Sequence, residues 1–251
     1  MLPVADLWKS ITIDAAPHVL PGDAEILQSK PGLTVCYDNG AYLAEGLARK
    51  SDTRFHVGLL PQPYHGDLAR ASVFLLMLNP GLGPADYFSE FCVPEYRRAL
   101  VDNLLQSQGR RFPLIFLDPS FAWHSGARFF RGKLNWLVHD LAHQRGLAYL
   151  EALSVAASSI CCLELVPYHS TSFKADRLLK ELPSVQAIKQ FAIETLEERR
   201  KPLFIVTRQI SQWGLLPSDR VVAYGSSESR AAHLSRDTAG GKALLQHFQL
   251  K

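Results

Sequence analysis

VFLLMLNPGLGPADYF, Val73 to Phe88, decides the fold, because an unbroken apolar run stops there abruptly at Asn79-Pro80-Gly81. From Val73 to Leu78 no polar side chain alternates with the apolar ones. That pattern reads as a strand covered on both faces, the usual state of a parallel strand in an α/β protein. Ligands of open α/β sheets settle beyond the carboxyl ends of the strands. Asn79 and the Gly81-Leu82-Gly83 backbone are therefore expected at the floor of a crevice.

Outward from this strand the pattern stays orderly toward the C-terminus. A helix is predicted from Pro94 to Gln106, with proline at its start and Gly109 just past its end. Phe112 to Leu117 reads as a short strand, Asp118 to Arg131 as an aromatic-rich loop, and Gly132 to Arg145 as a helix with Leu134, Leu137, Val138 and Leu141 on one side. Three further strands are expected at Ser159 to Val166, Leu203 to Thr207 and Arg220 to Tyr224, with a helix from Ser184 to Arg200 before the second of them. Right-handed crossovers then predict a four-stranded parallel sheet with helices on both sides, over residues 71–251. The first 70 residues read as an N-terminal extension or cap, with a strand at Leu33 to Tyr37, a helix from Ala41 to Arg49 and the proline-broken LPQPYHGD.

With 251 residues, 47% of them hydrophobic, the chain can bury a substantial core. Its net charge of +3 is mild for a nucleic-acid binder, so phosphate contacts must come from local clusters. Cys36, Cys92, Cys161 and Cys162 lack CxxC spacing, which argues for a reducing compartment and against a cysteine metal site. Asp118 and His124 do not form a metal pair by spacing, and no metal or other cofactor is expected. MLPVADLWKS is not a signal peptide and no apolar segment is long enough to span a bilayer, so a cytoplasmic protein without membrane contact is expected.

Four strand ends carry the polar residues: LNPG (Leu78 to Gly81), ELVPYHS (Glu164 to Ser170), VTRQ (Val206 to Gln209) and YGSSESR (Tyr224 to Arg230). In this combination the chain resembles the uracil-DNA glycosylase superfamily, closest to its mismatch-specific and single-strand-selective branches. There the first strand ends in Asn-Pro-Gly and the last in a serine-rich loop. Asn79-Pro80-Gly81 matches the first motif, and Ser226-Ser227-Glu228-Ser229-Arg230 matches the second loosely. The likeness covers the order of elements over residues 70–235. It implies a three-layer α/β/α sandwich that grips a nucleotide flipped out of DNA, with DNA as partner.

Cleaving an N-glycosidic bond builds positive charge on the sugar and negative charge on the departing base, so the site needs a positioned water and donors aimed at the base. The Asn79 amide oxygen can orient that water, while the N–H groups of Gly81 and Leu82 can hold a base oxygen. Pro80 fixes the loop and Gly81 allows a ligand close to the backbone. The plain alternative is a strand-terminating turn. The superfamily places a ring near Tyr87, Phe88 and Phe91 to stack on the base; Tyr87 is assigned that role and Phe91 a place beside it, core packing being the alternative for Phe88 and Phe91.

Where family members carry an asparagine three residues before the proline of the second motif, this chain has Glu164. An ionised carboxylate only accepts, so Glu164 suits an exocyclic amine better than the O4 of uracil; a buried ion pair is its alternative role. His169 is a candidate general base, a surface histidine without a role being the alternative. Ser170 and Lys174 read as phosphate contacts, as do Ser226, Ser227, Ser229 and Arg230, with helix capping by Ser226 or Ser227 a compatible reading. The histidine of the single-strand-selective branch is replaced by Tyr224-Gly225, and Arg230, His233 and Arg236 resemble the duplex-probing segment or are solvated surface. Phe116 to Lys133 interleaves aromatic and basic residues, as a nucleobase-contacting surface does, or as a docking surface for the N-terminal cap does. A binding protein without catalysis is the second reading of the whole chain. A serine hydrolase is the third; it fails because Ser229 stands where a nucleophile elbow needs glycine.

Overall fold

The structure, a computed structural model, describes residues 3–28, 32–45, 52–107, 109–174, 178–198, 201–208, 210–225 and 233–250. In chain order the elements are α1 (Pro3–Trp8), α2 (Pro21–Leu27), β1 (Leu33–Thr34), α3 (Asn39–Ala44), β2 (Phe55–His56), β3 (Tyr64–His65), β4 (Val73–Met77), α4 (Pro84–Cys92) and α5 (Pro94–Leu104). They continue with α6 (Ser125–Arg145), α7 (Tyr149–Ser159), β5 (Ile160–Glu164), α8 (Pro183–Glu197), β6 (Leu203–Val206), α9 (Ile210–Trp213), β7 (Val221–Ala223) and α10 (Ala239–Phe248). None of these helices is long and apolar enough to cross a membrane.

The main sheet has five strands in the order β3-β5-β4-β6-β7. β4, β6 and β7 pair in parallel, with Phe74 opposite Phe204 and Phe204 opposite Val221. The expected four strands are all present, but the sheet is mixed and not purely parallel, because β3 adds an edge. The N–H of Gln62 donates to Pro167 O and that of Glu164 to Pro63 O, which sets β3 antiparallel to β5. Gly66 ends β3 at φ +129°, where a Cβ would lie 2.8 Å from the Cys161 Cα. Only glycine fits that approach.

Two compact units divide the chain: residues 1–64, 78–108 and 164–191 in one, and 65–77, 109–163 and 192–251 in the other. The division does not follow the boundary expected at residue 70. The N-terminal segment belongs to the same unit as the loops that follow β4 and β5.

The second unit carries β4, β6 and β7, with the buried rings of Phe74 and Phe204 stacked at 5.1 Å. Two expectations about this unit change. Phe112 to Leu117 is no strand: Ile115–Leu117 closes a 3-10 turn, and Pro113 has no N–H to offer a ladder. The helix expected from Gly132 begins at Ser125, where the His124 ring accepts from Gly126 N–H as an N-cap, and it ends on Gly146 in the left-handed conformation.

In the first unit β1 and β2 form a short parallel pair, Leu33 opposite Phe55 and Thr34 opposite His56. Cys36, Tyr42, Leu59 and Tyr87 make a buried cluster, against which the half-buried Leu82 and Phe91 pack. The four cysteines are thiols, Cys92 exposed and the others buried.

Candidate functional site

β4 runs out at Met77 and the chain enters Leu78-Asn79-Pro80-Gly81; β5 ends at Glu164 and leads into Leu165 to Lys174. These two segments lie in the first unit and are tied together. The N–H of Val166 donates to Leu78 O at 2.9 Å, and that of Ser170 to Pro80 O at 3.4 Å.

Asn79 is the centre of the joint. Its Nδ2 donates to Ser170 Oγ at 2.9 Å, to Pro80 O at 3.0 Å and to Tyr168 O at 3.3 Å. With both amide protons so engaged, the orientation of the amide is fixed and Oδ1 is the face left to accept from a ligand or a water. Ser170 is itself buried and its hydroxyl is turned to Asn79. Ser170, expected to contact phosphate, is instead buried against the Asn79 amide. Lys174 stands exposed four residues on.

His169 is buried, and its Nδ1 lies 2.7 Å from Gly81 O. A carbonyl can only accept, so Nδ1 carries a proton, and in the neutral ring Nε2 is the nitrogen with the lone pair. That Nε2 is buried and makes no hydrogen bond within the described structure. The arrangement suits a base, held through its far nitrogen as a metal or catalytic histidine commonly is.

Tyr168 anchors the second segment from behind. Its hydroxyl donates to Asp23 Oδ2 at 2.6 Å and accepts from Leu20 N–H at 3.2 Å, while Ser184 N–H donates to Asp23 Oδ1 at 3.1 Å. Burial pushes the Asp23 carboxyl up, against the pull of its Ser184 and Tyr168 hydrogen bonds. Asp23 is a residue the sequence reading passed over, since an acid in the first turn of a helix that opens with proline is accounted for by capping alone.

Pro80 is buried, Gly81 exposed and Leu82 half-buried on the aromatic cluster. A Cβ on Gly81 would meet nothing within 4 Å, so neither its neighbours nor a positive φ demands glycine there.

Tyr87 does not stand ready to stack on a base. It is fully buried, with Tyr42 stacked at 4.3 Å and Phe91 at 5.9 Å, both nearly parallel to its ring. Its hydroxyl lies 3.2 Å from His56 Nδ1, and burial pushes its pKa up. The ring assigned to the ligand is a core ring, and Phe91 packs with it. The exposed aromatic on this helix is Phe88.

Glu164 is the buried last residue of β5. Neither the Asn79 amide nor the His169 ring spends a hydrogen bond on it. Ser226, Ser227, Ser229 and Arg230 lie outside the described residues. Arg236 pairs with Asp140 at 2.5 Å. Among the described residues no group of three or more His, Cys, Asp or Glu side chains is placed to hold a metal ion.

Two buried ionisable groups flank the loops. The backbone N–H of His56 donates to His169 O at 2.9 Å, and burial lowers its imidazole to about 4, with Asp52 at 3.7 Å opposing and His169 adding to the shift. Between about 4 and the ordinary value of 6.5 the unfolded chain binds a proton at His56 that the folded chain refuses. Stability from this group is thus complete above 6.5 and falls by about 3 kcal/mol as pH drops to 4. An NMR titration of the His56 ring protons should find a midpoint near 4; one near 6.5 would show the ring open to water. Glu90 is raised to about 7 by complete burial, which outweighs its hydrogen bond from Leu60 N–H and its 2.9 Å pair with Arg97.

Comparison with family models, with curated proteins and with solved structures finds no match for this chain.

Proposed function

We propose that the two joined loops cleave the N-glycosidic bond of a base flipped out of DNA, on a uracil-DNA glycosylase-like α/β/α framework. The observation that carries this reading is the Asn79 amide, locked through Nδ2 by Ser170, Tyr168 and Pro80 so that Oδ1 is left to accept, with His169 Nε2 on the joined segment. In the reaction Oδ1 orients a water, whose oxygen bonds to C1′ of the sugar as the bond to the base nitrogen breaks. The electron pair leaves with the base, and His169 takes the proton of the water. Backbone N–H groups of Gly81 and Leu82 receive the developing charge on the base, and the side-chain-free Gly81 lets the base come close.

A base-release assay tests the reading, on single- and double-stranded oligonucleotides carrying uracil, hypoxanthine, alkylated bases and each mismatch. Release of one of these bases is expected, and failure across the panel with oligonucleotide binding retained would leave a binding protein. Glu164 sets the choice of base: a carboxylate accepts from an exocyclic amine and repels O4. Glu164→Asn is therefore expected to shift the ratio of kcat/KM values toward uracil by roughly tenfold or more, and an unchanged ratio would remove Glu164 from base recognition.

A further inference from the structure

The second unit carries a surface that the proposed chemistry does not use. Trp123 and Phe129 are 48% and 45% exposed, the only side chains of the α6 region among the large exposed hydrophobics described. Trp123 Nε1 donates to Ser120 O at 3.0 Å, which fixes its indole. Phe129 stands edge-on to Phe130 at 5.3 Å, and the Lys133 ammonium lies 4.5 Å from the centre of its ring. Both exposed rings are thus held in place, which lowers the entropy lost when something stacks on them.

The stretch that carries them has charge of one sign. From Pro119 to His139 the chain carries Arg128, Arg131 and Lys133 and no Asp or Glu. The acids that bracket the stretch are engaged by arginines, Asp118 with Arg110 at 3.5 Å and Asp140 with Arg236 at 2.5 Å. Ser125, Arg128, Phe129, Gly132 and Asn135 recur at helical spacing as the exposed stripe of α6.

Gly132 sits in the interior of this 21-residue helix. A glycine there costs about 1 kcal/mol relative to alanine. A Cβ at Gly132 would meet nothing within 4 Å and its φ is ordinary, so the fold gains nothing from the missing side chain. A notch beside an exposed ring is useful to something that lies against the helix from outside.

We propose that Trp123, Phe129 and Arg128 form a docking platform for single-stranded nucleic acid, two bases stacking on the rings while the phosphates follow the arginine side of α6. Base stacking on aromatic side chains tolerates any sequence, because every base has a π-face, and phosphates supply the complement to the exposed Arg128 and Arg131. This platform does not depend on base release at Asn79.

The test is fluorescence anisotropy of a labelled oligothymidylate of about 16 nucleotides, with the whole 251-residue chain, over a range of salt. Wild type should bind, with tryptophan fluorescence quenched as Trp123 stacks. The Trp123→Ala/Phe129→Ala variant should lose roughly tenfold or more in affinity. Arg128→Ala should weaken binding and reduce the slope of log K against log salt by about 0.7. Absence of binding by wild type at low salt overturns the proposal, as does wild-type affinity in the folded double variant. If circular dichroism finds that variant unfolded, Arg128→Ala decides, and an unchanged slope overturns it. Failure of base release leaves this inference standing, and failure of binding leaves the glycosylase reading to its own assay.

Discussion

Replacing Asn79 by alanine should lower the rate of base release by about 10²–10³-fold, the usual effect of deleting a positioned polar group from a hydrolytic site. The melting temperature should move by at most a few degrees. Asn79 is half-buried in a loop, and the acceptors it deserts are two backbone carbonyls and the Ser170 hydroxyl, not an apolar core. About 1 kcal/mol of lost hydrogen bonding corresponds to about 2–4 °C in a chain of this size. Single-turnover release and thermal melts on the same preparation check both halves. Activity retained at an unchanged melting temperature would take Asn79 out of the mechanism. Ser170→Ala separates positioning from folding: it frees the amide to turn, so kcat should fall while KM holds.

Tyr87→Ala should be the most destabilising change in the first unit, by about 3–5 kcal/mol. The ring is fully buried between Tyr42 and Phe91, and its removal opens a hole that the stacked neighbours cannot close. Tyr87→Phe keeps the stack and gives up the hydroxyl contact to His56, at about 1 kcal/mol. Chemical denaturation of the two variants measures the difference. If Tyr87→Ala instead melts like wild type and raises KM alone, the ring belongs to the ligand after all.

Much of the sheet was legible from the chain. Val73 to Leu78 announced β4 because a strand covered on both faces has no reason to alternate, and the same held for the apolar runs of β5 and β6. β3 was not legible: two residues between Pro61, Pro63 and Gly66 carry no periodicity, and the pairing is chosen by β5. Helix α4 hid behind the turn-forming Pro-Gly of the preceding loop, although Gly83 and Asp86 cap it, with Asp86 Oδ2 accepting from Gly83 N–H at 2.6 Å. Gly132 concealed the first turns of α6, since an unforced glycine in a helix reads as a boundary.

Of the candidate site, the Asn79 motif and His169 could be picked out by residue type and position after a strand. Their geometry could not. That Ser170 faces Asn79 and not solvent, and that Tyr87 lies inside a stack, follow from packing that involves Asp23 behind Tyr168 and Tyr42 against Tyr87, both distant in sequence. An aromatic three residues into a helix after a ligand loop looks the same whether it faces in or out.

The hydrogen bond from His56 N–H to His169 O, and that from Tyr168 to Asp23, make the N-terminal residues Asp23 and His56 part of the mounting of the two joined loops. The motif loops are therefore not a transplantable cassette. A protein trimmed at residue 70 would keep Asn79, Glu164 and His169 in its sequence and lose the walls that aim them, and grafting those loops onto another sheet would require bringing the N-terminal segment along.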